Sequence, residues 1–266
     1  VPTVKETFNK AAKENPELAS YFEFQHELFE LQVEAMQEIT ATLQISDQGA
    51  LQSRLSRGLP LLSLAQLPIE AERFAELAAA LVAVLLGYYS DLRGQPFPAT
   101  SAEWLALARR RFEKNQAGHT DEFPDTNLTE TAADLALRPY LVWAGEQILP
   151  HVDQAEWRRG YCPVCGGAPD FALLEEETGA RRLVCARCDT QWHYHRLGCP
   201  FCNTKDYSRI VYYPSEDGEY RLYVCQACQR YLKTLDLRKA PGGIVVPVER
   251  ITSVDLDMAA REQGYR

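Results

Sequence analysis

Eight cysteines are the residues of this chain whose type and spacing can do chemistry. They form four Cys-x-x-Cys pairs, Cys162/Cys165, Cys185/Cys188, Cys199/Cys202 and Cys225/Cys228, within 67 residues, and none is left over. Two thiolates two residues apart can meet one metal ion from a single tight turn. Four such pairs supply two tetrahedral all-sulfur sites. A site with four protein sulfurs has no open coordination position, which fits a structural or electron-carrying role rather than a hydrolytic one. Zinc and a single iron both suit this donor set.

The cysteine stretch is duplicated. Tyr161-Cys162-Pro163-Val164-Cys165 aligns with Gly198-Cys199-Pro200-Phe201-Cys202, and Arg182-Leu183-Val184-Cys185 aligns, with one inserted residue, to Arg221-Leu222-Tyr223-Val224-Cys225. The repeat predicts one site from Cys162, Cys165, Cys185 and Cys188 and a second from Cys199, Cys202, Cys225 and Cys228. An interleaved pairing, first pair with third, stays open. Gly166 and Asn203, just after second cysteines, tolerate the positive φ that lets a chain curl back. Four thiolates on a divalent ion leave a charge of about −2, which Arg182, Arg187, Arg221 and Arg230 are placed to offset, although a solvated surface explains them better. His193 and His195 are read as packing or surface residues, because the cysteines suffice. His26, His119 and His151 are isolated.

These sulfurs need a scaffold. Residues 1–156 read as helical. A helix starts at Asn15-Pro16-Glu17, with proline where its missing N–H costs nothing, and apolar residues follow at a period near 3.6 from Leu18 to Leu43. Further helices are expected from Pro68 to Leu92, from a Ser101 cap, and over Leu128 to Leu149, with Pro139 kinking or splitting the last. After Gly160 the pattern changes to short β-like runs: Arg182–Val184, Ser208–Tyr213, Tyr220–Val224 and Tyr231–Leu235. Their breakers, Gly179, Asn203 and Asp217-Gly218, suit hairpins. A tail follows Pro241-Gly242-Gly243, with an apolar run Ile244–Val246 and a helical stretch from Val254 to Gln263. The expected fold class is α+β and multi-domain: a helical bundle (1–156), two rubredoxin-like or zinc-ribbon modules (157–197 and 198–240) and a short tail (241–266).

Charge narrows the function. The chain carries a net −9; residues 1–156 hold 12 Lys+Arg against 23 Asp+Glu, and 157–240 hold 13 against 10. An acidic body disfavours nucleic acid and anionic membranes. The apolar run Leu77–Tyr89 is too short to span a bilayer. The start, Val1-Pro2-Thr3-Val4-Lys5, lacks the apolar core of a signal peptide. Metal-bound thiolates survive best in a reducing compartment, so a cytoplasmic location is expected. No Gly-rich phosphate loop, nucleophile elbow or His-Glu-x-x-His is present, and a non-enzyme is expected. Two rival readings remain: a nucleic-acid-binding zinc ribbon, which the charge disfavours, and a thiol redox protein. The latter needs a Cys-x-x-Cys opening a helix in a βαβ unit, a pattern not seen here.

At Tyr161-Cys162-Pro163-Val164-Cys165-Gly166, Cys185-x-x-Cys188 with Gln191-Trp192-His193, Cys199-x-x-Cys202, and Cys225-x-x-Cys228 with Tyr231-Leu232-Lys233, the chain resembles the formate dehydrogenase accessory proteins of the FdhE type. The tail residues Asp255-Leu256-Asp257 and Glu262-Gln263-Gly264-Tyr265 extend the likeness. Asp189 and Gln229 follow second cysteines where glycine or glutamate is as usual. The resemblance implies a cytoplasmic, non-catalytic factor that helps make active respiratory formate dehydrogenase and contacts its catalytic subunit. It also implies two mononuclear metal ions on the eight cysteines, iron favoured over zinc, and leaves a homo-oligomer open.

Overall fold

The first half of the chain folds as helices because its apolar residues recur at helical spacing, and each helix buries that stripe against its neighbours. In the computed structural model, which describes residues 3–45, 47–89, 93–114, 127–155, 157–240 and 242–266, α1 spans Val4–Glu14, α2 Ala19–Gln37, α3 Gln48–Ser56, α4 Ala71–Tyr88, α5 Ser101–Lys114 and α6 Leu128–Ile148. Val1, Pro2, Leu92, His119, Glu156 and Pro241 lie outside the described residues. Two helices escaped the sequence pattern. α1 buries only Phe8 and Ala11 fully, and a Thr3–Glu6 capping box starts it; α3 is short and begins at the Asp47 cap. Pro16 opens a 3-10 turn before α2 rather than the α-helix itself. Thr100, not Ser101, caps α5, accepting from the Glu103 N–H at 3.2 Å.

Pro139 neither splits nor ends α6. A proline at this position cannot donate to the carbonyl four residues back. That carbonyl, on Leu135, accepts instead from buried Gln32 Nε2 on α2 at 2.9 Å. Gln32→Ala should therefore destabilise the protein by about 1–3 kcal/mol, since it strands a buried acceptor. In a Pro139→Ala background the backbone N–H returns, and most of that cost should vanish; a double-mutant cycle by denaturant unfolding measures this.

The second half forms one six-stranded sheet. Its strands are β1 (Pro169–Leu174), β2 (Arg181–Cys185), β3 (Gln191–Tyr194), β4 (Ile210–Pro214), β5 (Tyr220–Cys225) and β6 (Arg230–Asp236), in the order β3-β2-β1-β6-β5-β4. Each duplicated unit is a three-stranded antiparallel piece. The two join edge to edge where β1 runs parallel to β6, with Phe171 opposite Lys233 and Leu174 opposite Asp236. The two ribbons thus share a sheet. Alternation sets its faces: Phe171, Leu173, Val184 and Leu235 pack under the tail, whereas Ala172, Leu183, Trp192 and Leu232 belong to the core of the helical body. The tail continues as α7 (Val246–Thr252) and α8 (Val254–Glu262). Val248 of α7 packs with Phe8 and Phe22, and Ala260 of α8 with Leu222 and Val224. Among the described residues no helix is long and apolar enough to cross a membrane.

Candidate metal centres

Every Cys-x-x-Cys pair makes the same turn. The residue after the second cysteine donates its N–H to the carbonyl of the first: Gly166 to Cys162, Asp189 to Cys185, Asn203 to Cys199 and Gln229 to Cys225, at 2.8–3.3 Å. All four of these residues have positive φ, at 78°, 55°, 56° and 57° respectively, and no other non-glycine among the described residues does. An L-residue there costs roughly 1–2 kcal/mol, a strain repeated only where a sulfur must be aimed. Glycine, asparagine and aspartate tolerate it best. Gln229 has no such preference, and is held by its side chain on the Gln226 carbonyl and by the Arg266 N–H on its own carbonyl.

The turns bring the sulfurs together as two groups of four: Cys162, Cys165, Cys185 and Cys188, and Cys199, Cys202, Cys225 and Cys228, all within 4.8 Å inside each group. The sequential arrangement is the one observed, and the interleaved one is not. In the first group three of the S···S separations are 3.5, 3.5 and 3.4 Å; in the second, two are 3.7 and 3.7 Å. A disulfide needs about 2.05 Å, whereas a tetrahedron with metal–sulfur bonds of about 2.3 Å has edges of about 3.8 Å. Backbone N–H groups of Val164, Gly167 and Arg187 lie 3.4 Å from the sulfurs of Cys162, Cys165 and Cys185. Such donors stabilise thiolate charge. The donor set fits a soft, tetrahedral cation. No pair opens a helix, as a thioredoxin-like thiol exchanger requires.

Burial differs sharply between the groups. All four sulfurs of the first are buried, while Cys202 is exposed and Cys228 half-buried. Burial pushes the Cys162 thiol far above its ordinary range, raises Cys199 strongly and lifts Cys228 to about 11. Cys225 departs from this. Burial raises it, but N–H groups of Cys228 and Ala227, together with hydrogen bonds from the Cys228 and Cys199 side chains, outweigh burial and hold it below its ordinary value. Buried thiols of this kind ionise together when a cation supplies the compensating charge.

The first group is locked to the rest of the molecule. N–H groups of Leu61 and Leu62 donate to the Pro163 and Val164 carbonyls at 2.9 Å, and the Tyr161 hydroxyl donates to the Gly58 carbonyl. Arg138 of α6 reaches the Ala186 carbonyl and the Asp189 carboxylate, and Arg250 of α7 reaches the Cys185 and Ala186 carbonyls and the same carboxylate. Gly160 passes so close to the third turn that a Cβ would sit 1.9 Å from the Pro200 carbonyl oxygen. Buried Arg181 ties the halves together by donating to the His195 and Gly198 carbonyls; burial lowers its pKa to about 10.

Of the four arginines near the sulfurs, Arg230 lies within electrostatic reach of Cys228 and Cys199, and each also has a partner away from them. Arg187 lies over the Phe112 ring, Arg230 over Phe201, Arg221 on Asp236, and Arg182 near Glu175. Arg138, Arg250 and Arg181 are the cations whose side chains hydrogen-bond to backbone carbonyls in and beside the turns. Of these, Arg138 and Arg250 lie outside the cysteine stretch and carry no motif. His193 is partly exposed beside Glu175, His195 is exposed, and neither joins a sulfur group.

A helical body bearing a duplicated four-cysteine ribbon on one continuous sheet defines a class of metal-site protein. Comparison with known proteins narrows it. The central-domain model of FdhE matches residues 161–196. The FdhE homolog of Aquifex aeolicus is 27% identical over 271 residues, covering 100% of this chain and 89% of that protein. The FdhE protein of Escherichia coli is 26% identical over 292 residues, covering 99% and 86%. The crystal structure of the FdhE protein from Pseudomonas aeruginosa has the same fold, with a TM-score of 0.61 at 23% identity over 99% of this chain and 91% of that one. The chain is similar along its whole length to FdhE-type proteins, the family its cysteine motifs resemble.

Proposed function

We propose that this protein is a cytoplasmic, non-catalytic accessory factor in the maturation of a formate dehydrogenase, whose catalytic subunit it binds. The eight cysteines hold two mononuclear metal ions, one per duplicated unit, iron in preference to zinc. The working division is a helical body (1–156), two ribbons (157–197 and 198–240) and a tail (241–266). The observation that carries this reading is the pair of closed four-sulfur groups within a chain similar to FdhE proteins along its whole length. Four sulfurs saturate a tetrahedral ion, so the metals would hold structure or carry electrons and leave no position for substrate.

A strain lacking the gene should lose formate oxidation and regain it on complementation; normal formate oxidation in that strain would remove the assignment. Elemental analysis of anaerobically purified protein should find two metal ions per chain. Ferric sulfur coordination would colour the protein, and zinc would leave it colourless.

A further inference from the structure

Two helices of the body contribute matching stripes to one groove of about 600 Å³. Leu31, Glu34, Ala35 and Glu38 of α2 form one wall, and Arg73, Glu76, Leu77 and Ala80 of α4 the other. Both sets run i, i+3, i+4, i+7, which is one face of a helix over about 10 Å. The two helices pack against each other and on α6, whose Tyr140 reaches the same groove. Ala35 and Ala80 keep the walls low, and Leu31 and Leu77 stay only half-buried.

The rim is acidic. It carries Glu34, Glu38, Glu70 and Glu76 against one cation among the described residues, Arg73. Arg73 pairs with Glu38 and Glu70 at 3.6 and 3.2 Å. The carboxylates of Glu34 and Glu76 meet no cation among the described residues. An apolar trough with such a rim favours a cationic occupant. Tyr140 points the same way by a different observation. It is only 6% exposed, its ring lies against Phe74, and its hydroxyl has no hydrogen-bond partner among the described residues. A hydroxyl at such a depth ordinarily has one. Burial first, and the Glu70 charge next, push its pKa up. A neutral hydroxyl under negative potential suits an ammonium or guanidinium donor.

We infer that this groove receives a basic amphipathic helix of a partner protein. Its apolar stripe lies between α2 and α4, its Lys or Arg side chains meet Glu34 and Glu76, and one of them donates to the Tyr140 hydroxyl. Helix-in-groove recognition uses anchors at the same i, i+3, i+4, i+7 spacing that the walls present. The inference is independent of which enzyme the factor serves. The test is fluorescence anisotropy with full-length, metal-loaded protein and a labelled peptide of about 14 residues, four turns of helix. The peptide is built of leucine and lysine, with the leucines on one helical face. It should bind saturably at one site and weaken as salt rises. A peptide of the same composition with leucine and lysine alternating, a strand pattern, should bind about tenfold more weakly or worse. Glu34→Lys combined with Glu76→Lys, both exposed, should weaken binding by about tenfold or more, because two rim charges are reversed. Tyr140→Phe, which removes a hydroxyl that bonds nothing in the protein, should weaken it about fivefold, the worth of one hydrogen bond. Glu262→Lys, exposed on α8 and outside the groove, should alter it by less than about twofold, as expected for screened, distant charge. The inference is overturned if the patterned peptide does not bind saturably, if the alternating peptide binds equally well, or if Glu262→Lys weakens binding as much as the groove pair does. It is also overturned if the protein alone is a dimer that the groove pair dissociates, which would make the occupant a second copy.

Discussion

Cys162→Ser is expected to unfold most of the protein and release both metal ions, whereas Cys202→Ser should release one ion and leave the helices melting cooperatively. Serine nearly preserves cysteine's volume, so each change removes a ligand rather than packing. The asymmetry follows from where the two groups sit. Cys162, Cys165, Cys185 and Cys188 belong to the same buried core as Phe74, Leu137 and Ile148 of the helical half. A segment ahead of α4 also pairs its backbone with the first turn through Leu61 and Leu62.

A structural four-sulfur site contributes on the order of 10 kcal/mol to folding, as much as the whole net stability of a typical domain, about 5–15 kcal/mol. Loss of the first ion also leaves three desolvated sulfurs in that core. The second group carries the β4–β5 edge, with Cys202 exposed, so its failure frays one side of the sheet. Metal analysis together with thermal unfolding followed by circular dichroism separates the cases. A folded Cys162→Ser protein retaining one ion would overturn this ranking of the sites. The same burial predicts that a chelator strips the second group first.

The sulfur groups could be read from the chain because their spacing is local and their duplication is visible in the alignment of Cys162–Cys165 with Cys199–Cys202. Their supports could not. Arg138 and Arg250 meet Asp189 across 51 and 61 residues of chain, and a lone arginine in a helix gives no sign of its partner. Strand β1 was hidden for another reason. Phe171, Ala172, Leu173 and Leu174 are all buried because both faces of the sheet are covered, so the run lacks the alternation that marks a half-exposed strand. The parallel join of β1 to β6 merges the two ribbons, and edge pairing leaves no local signature. Pro139 misled in the opposite direction: its helix-breaking tendency is real, but Gln32, over a hundred residues away, offsets it.

Asp189→Gly should destabilise the metal-loaded protein by about 3 kcal/mol, the lower end for breaking a buried charge pair, although glycine is the residue best suited to its backbone. The side chain is 19% exposed and receives Arg138, 14% exposed, and Arg250, 9% exposed, at 2.7 and 2.6 Å. Without it Arg138 keeps the Ala186 carbonyl, and Arg250 keeps two carbonyls and Asp170. Of the two desolvated guanidinium groups, Arg250 then retains one carboxylate and Arg138 retains only a carbonyl. Because φ at Asp189 is 55°, glycine removes the carboxylate without adding strain. Asp189→Asn keeps an acceptor and a tolerance for that conformation, so it should cost less. Asp189→Ala should cost about 1 kcal/mol more than glycine, the added cost of a Cβ in left-handed backbone. The order Asn, Gly, Ala in increasing damage, measured by urea unfolding, therefore distinguishes a charge clamp from a purely conformational role, in which glycine would match or exceed the parent. The clamp joins α6, the second cysteine turn and α7, so the glycine variant should also exchange the amides of α7 faster while retaining both metal ions.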